Sequence, residues 1–278
     1  IRDSLHSLLG IHKNRPLPPF ARPTFPQWFS SSNGKGSGHH CMEVLLNANF
    51  MNYYYPQVGR AGVAVLEKAG FQVELANVKC CGRPMISKGM LSKAEKYARY
   101  NVDRLHDYIE QDIPVVGGEP SCLLTLRDEY PDLLKDKKSR KVSGGIYLID
   151  EFLLNLKNNN QLSLESSTVE KNVLFHAHCH QKALLGTEVS RTVLSLPPGY
   201  KVEVVDSGCC GMAGAFGYEK EHYDISQNIG KDRLFPSVSS KGKEWDMAVM
   251  GISCREQIEH GTGRYVRHLV EVLHDALV

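Results

Sequence analysis

No stretch of this 278-residue chain approaches the run of about 18 apolar residues that a membrane-crossing helix needs. No GxGxxG follows a candidate strand, since GMAGAFG comes directly after a Cys-Cys pair, so NAD is not an expected ligand. No RRM, helix-turn-helix or finger pattern occurs, and the net charge is only +2, which leaves no case for nucleic acid. The N-terminus lacks an apolar signal segment and lacks Met, and on that ground the chain reads as an excised domain of something longer. Cysteine is also sparse. Eight residues are too few for a disulfide scaffold in a chain of this size.

What is present is ordinary in bulk, with 42% hydrophobic and 23% charged residues and enough length for two cores. The cysteines, however, are clustered. Cys80–Cys81 and Cys209–Cys210 are each followed by glycine, and the second pair lies in DSGCCGMAGAFGYE. Adjacent thiols bridge each other only in a strained ring, but both can face one inorganic centre if the backbone turns sharply. Gly208, Gly211, Gly214 and Gly217 permit that turn. Such pairing suits metal ligation in a reducing compartment, and the expected location is the cytoplasm or the periphery of an inner membrane face.

Residues 1–40 hold Pro16, Pro18, Pro19, Pro23 and Pro26 and then a Ser/Gly run, which argues for a proline-rich arm and linker without regular core structure. From Met42 onward, strands and helices alternate. Strands are expected at 43–46, 71–75 and 114–117, and helices at 57–69, 87–111 and around 123–134. A polar stretch, KDKKSRK, follows, then a strand and short helix over 146–156 and a polar linker over 157–170. The second half repeats the plan, with strands at 172–176, 201–205 and 247–250 and helices at 181–194, near 219–233 and over 266–277.

The repeat has a fixed offset. Cys209 lies 129 residues after Cys80, Val173 lies 129 after Val44, and Cys254 lies 132 after Cys122. The expected fold is α/β, with two pseudo-symmetric lobes from an internal duplication, each a parallel sheet flanked by helices. The first lobe is placed at 41–165 and the second at 166–278.

Parallel α/β sheets bind ligands outside the carboxyl ends of their strands. In the second lobe HAHCH, SGCCGMAG and GISC all follow strands, so Cys179, Cys209, Cys210 and Cys254 are the candidate ligands. Four thiolates suit a structural zinc or an iron–sulfur cluster. Gaps of 29 residues (180–208) and 43 residues (211–253) span a whole lobe with its own core, which favours a redox cluster over a zinc staple. His176, His178 and His180 are candidates to tune such a cluster or to cap the following helix, with His178 or His180 also able to contact substrate. Lys182 is a candidate anion holder.

The first lobe is less complete. Cys80, Cys81 and Cys122 make three thiols, and the position matching Cys179 is Phe50. Cys41 precedes its strand, and about seven residues of strand span roughly 23 Å, so it is not expected to reach the pair. A cluster with an outside ligand, zinc, a share in a joint site, or a vestigial site all remain open for this set.

These residues resemble the cysteine-rich CCG-domain family, which includes the B subunit of heterodisulfide reductase and the iron–sulfur subunits of glycolate oxidase, anaerobic glycerol-3-phosphate dehydrogenase and lactate utilisation. The carriers are NYYYPQVGRAGVAVLEKAGFQVE, CCGRPMISKG, EPSCLLTLRDEY, HCHQKALLG and SGCCGMAGAFGYE, covering about Met42 to Val278. The chain is also similar to the C-terminal iron–sulfur part of FAD-linked oxidases of the D-lactate or D-2-hydroxyglutarate dehydrogenase kind. The resemblance implies a [4Fe-4S] cluster, cubane or non-cubane, on Cys179, Cys209, Cys210 and Cys254. It implies zinc or a second cluster, more weakly, on Cys80, Cys81 and Cys122. The fuller family motif ends in CxxC, whereas here Gly251 takes the first position before Cys254, which puts a five-thiolate cluster in doubt.

The implied role is an electron-transfer module of a flavin-linked 2-hydroxyacid dehydrogenase. FAD would sit on a partner or parent domain beside a ferredoxin-like domain, and electrons would leave to a quinone or another carrier. Alone, this stretch is not expected to turn over a hydroxy acid. Two alternatives stand beside it: a thiol/disulfide-reducing catalytic iron–sulfur subunit, and a zinc-stabilised interaction domain.

Overall fold

A computed structural model describes residues 2–32, 42–45, 49–162 and 168–277. Two four-stranded parallel sheets carry the chain. The first joins β1 (Met42–Leu45), β2 (Gln72–Leu75), β3 (Val115–Gly117) and β4 (Ile146–Leu148) in the order β2-β1-β3-β4. The second joins β5 (Lys171–His176), β6 (Tyr200–Val204), β7 (Trp245–Val249) and β8 (Val266–His268) in the order β6-β5-β7-β8. The two orders are the same, so the 129-residue offset is a structural duplication. Each central strand has neighbours on both sides and helices on both faces, and β5 accordingly buries Val173, Leu174 and Phe175 completely.

The helices mostly follow the apolar periodicity. Pro56–Lys68 starts with proline in its first turn and buries Val58, Val63, Val65 and Leu66. Leu91–Glu110 buries Ala94, Ala98, Val102, Leu105 and Ile109, while Leu91 itself stays exposed. Four expectations change. The 181–194 helix is two helices, Cys179–Leu185 and Glu188–Leu194, because Gly186 takes a positive φ of 75° between them. The polar stretch KDKKSRK, given no element from its sequence, runs from Lys137 into the helix Lys137–Gly144, capped by Asp136, which accepts the Ser139 N–H at 2.7 Å. The closing helix begins later, at Leu269, since Val266–His268 is a fourth strand. The fourth change is the arm.

The arm holds two helices, Arg2–Leu9 and Phe25–Ser31, the second with a capping box between Thr24 and Gln27. By compactness the chain divides into Phe20–Thr168 with Val270–Val278, and Ile1–Pro19 with Val169–Leu269. The arm is thus shared out between the two lobes rather than set apart. In the first, Phe25 is fully buried against Gly59, whose missing side chain leaves the room: a Cβ there would stand 2.7 Å from the Phe25 ring. Arg60 lies over the Trp28 ring at 5.1 Å. In the second, Arg15 is buried. Proline density broke the chain into short pieces without keeping those pieces out of the cores. Among the described residues no helix is long and apolar enough to cross a membrane.

Removing the Phe25 ring leaves a cavity, so Phe25→Ala is expected to lower stability by about 3–5 kcal/mol. Urea denaturation measures this, and an unchanged midpoint would show that the arm helix contributes nothing to the fold.

Candidate metal centre

Three successive strand ends of the second lobe deliver four thiols. After β5, His178 caps the helix Cys179–Leu185, its Nδ1 accepting the His180 backbone N–H at 3.2 Å, which places Cys179 in the first turn. After β6, the loop carries Cys209 and Cys210. After β7, Gly251 opens the helix Ile252–Thr262 with Cys254 in its first turn. The thiols meet in a chain: Cys179 and Cys210 both bond toward Cys209, and Cys210 also contacts Cys254. Cys210 and Cys254 are buried, Cys179 and Cys209 half-buried. The four residues named from the sequence are therefore together.

The turn that follows the paired thiols is fixed by packing. Gly211 has φ 96°, and a Cβ there would fall 2.4 Å from the Ser226 carbonyl oxygen and 3.1 Å from Gln257 Nε2. Gln257 Nε2 donates to that carbonyl at 2.8 Å, and the Gly211 N–H donates to Cys209 Sγ at 3.3 Å. On the other side, Lys182 Nζ donates to the carbonyls of Ser207 at 2.5 Å and Gly208 at 2.7 Å. Lys182, read from the sequence as an anion holder, thus ties down the loop while its charge stands near all four sulfurs.

Gly251 explains the missing CxxC thiol. A Cβ at that position would lie 2.4 Å from His178 Cδ2, so the histidine ring occupies the space a side chain needs. His176, the last residue of β5, is wholly buried; its Nδ1 meets Ser207 Oγ at 3.0 Å and its Nε2 has no hydrogen-bond partner among the described residues. Burial, with Lys182 and His178 nearby, pushes its pKa down to about 3, so the ring is neutral. The three histidines do not share a face as alternating strand residues would, because β5 ends at His176 and His178 has become a cap.

In the metal-free protein the thiols share their charge unequally. Hydrogen bonds from Cys179 and Cys210 and from the Gly211 N–H hold the Cys209 thiol well below its ordinary pKa. Donation to Cys209 and then burial push Cys179 up, and Cys210 rises for the same reasons with Cys254 beside it. A soft metal or cluster fits this set: four sulfurs, a nearby cation and an orphaned imidazole nitrogen, with the remaining thiol protons released on binding.

In the first lobe, Cys81 Sγ lies 3.4 Å from Cys122 Sγ, and Cys80 contacts Cys81. Cys122 rides on the helix Pro120–Leu124, capped by Glu119. Two residues not singled out from sequence hold the loop. Asn101 accepts the Lys79 N–H at 2.8 Å and donates to the Tyr130 hydroxyl at 2.9 Å, and that hydroxyl donates to the Cys81 carbonyl at 2.9 Å. Neither stands out in its apolar helix pattern. Phe50, at the position matching Cys179, lies on the helix Asn49–Tyr53 with its ring beside Tyr54. Cys41 lies outside the described residues.

Comparison with known proteins gives a consistent picture. The CCG cysteine-rich domain family matches residues 44–127 and 173–237. The C subunit of anaerobic glycerol-3-phosphate dehydrogenase from Escherichia coli (strain K12) is 32% identical over 280 aligned residues, covering all of this chain and 69% of the relative. D-2-hydroxyglutarate dehydrogenase of the same strain is 30% identical over 231 residues, 83% of this chain but 22% of the relative. Lactate utilization protein A of Halalkalibacterium halodurans is 29% identical over 174 residues, 59% of this chain and 67% of the relative.

Gly211→Ala is expected to weaken Co(II) binding by the second lobe about tenfold or more, equivalent to roughly 1.4 kcal/mol, read from sulfur-to-cobalt absorbance. Gly208→Ala, where a Cβ meets nothing within 4 Å, is expected to leave it unchanged. Equal behaviour of the two variants would contradict the packing account of the turn.

Proposed function

We propose, on the premise that this chain belongs to the CCG cysteine-rich domain family, that its second lobe holds an iron–sulfur cluster through Cys179, Cys209, Cys210 and Cys254 and passes electrons for a flavin-linked dehydrogenase. The observation that supports this most is the contact of four thiols from three separate strand ends in a lobe that already has its own core. Such a lobe has no need of a metal staple, which favours redox use over structural zinc. The cluster, when bound, would store and release single electrons. The chain's own residues position it: the Gly211 turn aims Cys209 and Cys210, Lys182 fixes the preceding loop, and His178 lines the same strand end as the neutral ring of His176.

The three relatives are named for glycerol 3-phosphate, D-2-hydroxyglutarate and lactate, all small hydroxylated anions. The finer reading is a 2-hydroxyacid oxidised at a flavin on a partner or neighbouring domain, with electrons leaving to a quinone or another carrier. Cys80, Cys81 and Cys122 are proposed as a second metal site with three protein thiols.

A second reading has one observation in its favour. A solvent-open groove of about 420 Å³ runs past Cys209, lined by Gly208, Ile225, Asn228, Ile229, Asp232 and Arg233. A cluster there could meet a disulfide substrate directly. Reduction of a small disulfide by the pre-reduced protein would favour it over simple electron transfer.

Anaerobically reconstituted protein is expected to contain iron and sulfide and to give an EPR signal on one-electron reduction or oxidation. Cys210→Ser should abolish the second-lobe signal, whereas Cys41→Ser should leave iron content unchanged. Zinc without iron or sulfide would sink both redox readings.

A further inference from the structure

Arg15 comes from the proline-rich arm, yet it is 3% exposed in the second lobe. Its guanidinium donates to the Gly217 carbonyl at 2.8 Å, to Gln257 Oε1 at 2.9 Å and to Ser226 Oγ at 3.3 Å. The rings of Tyr218 and Tyr223 lie beside it at 5.9 and 5.1 Å. Each of these hydrogen-bond and ring partners is neutral, and among the described residues Arg15 forms no ion pair, the buried carboxylate of Glu256 acting on it only through its field. A charge taken out of water without a counter-charge in contact with it is costly, so such an arrangement favours further negative charge nearby. Gln257 and Ser226 are also the residues packed against Gly211, next to Cys210. The cation therefore lies one layer of side chains beneath the Cys-Cys turn.

We propose that Arg15 is the counter-charge of the second-lobe metal centre: its buried guanidinium balances the negative charge that ligated thiolates bring, and so holds the reduction potential of that centre up. The inference rests on the iron–sulfur reading above. A positive charge at fixed short range stabilises the more negative, reduced state over the oxidised one, and it does so with little screening in a buried site. Burial pulls the guanidinium's own pKa down, with Tyr223, Tyr218, Cys210 and Glu256 opposing. In this arrangement the arm is part of the redox unit, acting through Gln257, Ser226 and the field of Arg15 rather than by touching the cluster.

The test compares wild type, Arg15→Gln and Arg15→Lys after anaerobic reconstitution, by iron content, EPR-monitored redox titration and thermal denaturation of the metal-free forms. Arg15→Gln is expected to make reduction about tenfold less favourable, which for a one-electron couple is about 59 mV more negative. Arg15→Lys should recover most of that shift. The metal-free Arg15→Gln protein should be no less stable than wild type, because it no longer buries a charge that lacks a counter-charge in contact with it. Loss of the cluster in Arg15→Gln but not Arg15→Lys also supports the proposal. It is overturned if Arg15→Gln keeps the wild-type potential, or if both variants lose cluster and stability together, as a purely structural residue would. Absence of iron and sulfide from wild type overturns the iron–sulfur reading itself, and the inference with it.

Discussion

A cysteine sulfur sits one bond beyond Cβ, so a thiol can reach a shared centre only where its backbone is already close. That short reach governs the architecture. Four sulfurs from residues as far apart as Cys179 and Cys254 can converge only if three strand ends lie side by side, which a parallel sheet in the order β6-β5-β7-β8 provides. The helices that follow β5 and β7 start abruptly, each with its cysteine in the first turn. The loop after β6 must then fold back sharply enough to present two neighbouring thiols to one point.

The two lobes share a sheet order but differ in their thiols. Sheet order and the Cys-Cys-Gly loop occur in both, and each loop is held by polar side chains from elsewhere in its own lobe: Asn101 and Tyr130 in the first, Gln257 and Lys182 in the second. The thiol inventory differs. Phe50 stands where the second lobe has Cys179, and its ring packs near Tyr54. In the second lobe the limit is steric, since His178 fills the space above Gly251. One position carries an aromatic ring in place of a thiol, and at the other a histidine ring takes the space a side chain would need.

Much of this was legible before any coordinates. The strand-loop-cysteine order and the constant 129-residue spacing were enough to infer two α/β lobes and to group Cys179 with Cys209, Cys210 and Cys254. Less was legible where tertiary contacts override local pattern. Arg15 and Phe25 lie among prolines, which read as an arm, and only the cavities waiting for them reveal their burial. The strand Val266–His268 is three residues long, too short to interrupt a helical periodicity. The histidine roles were ambiguous because the end of β5 decides them: two residues further and His178 would have been a strand residue instead of a cap. Asn101 and Gln257 act through side-chain amides on otherwise ordinary helices, and composition gives no sign of that.

The Gly211 turn has a thermodynamic consequence. Its shape is imposed by the Ser226 carbonyl and Gln257, partners that exist whether or not anything is bound to sulfur. The ordering cost of bringing the thiols together is therefore met when the lobe folds, not when the centre loads. Small zinc domains couple the two and unfold when emptied. Here the partners that shape the turn are in place without any bound group, so loss of a centre held there would leave a folded, preorganised receptor. Damage to such a group would then be a matter of refilling, with the polypeptide kept.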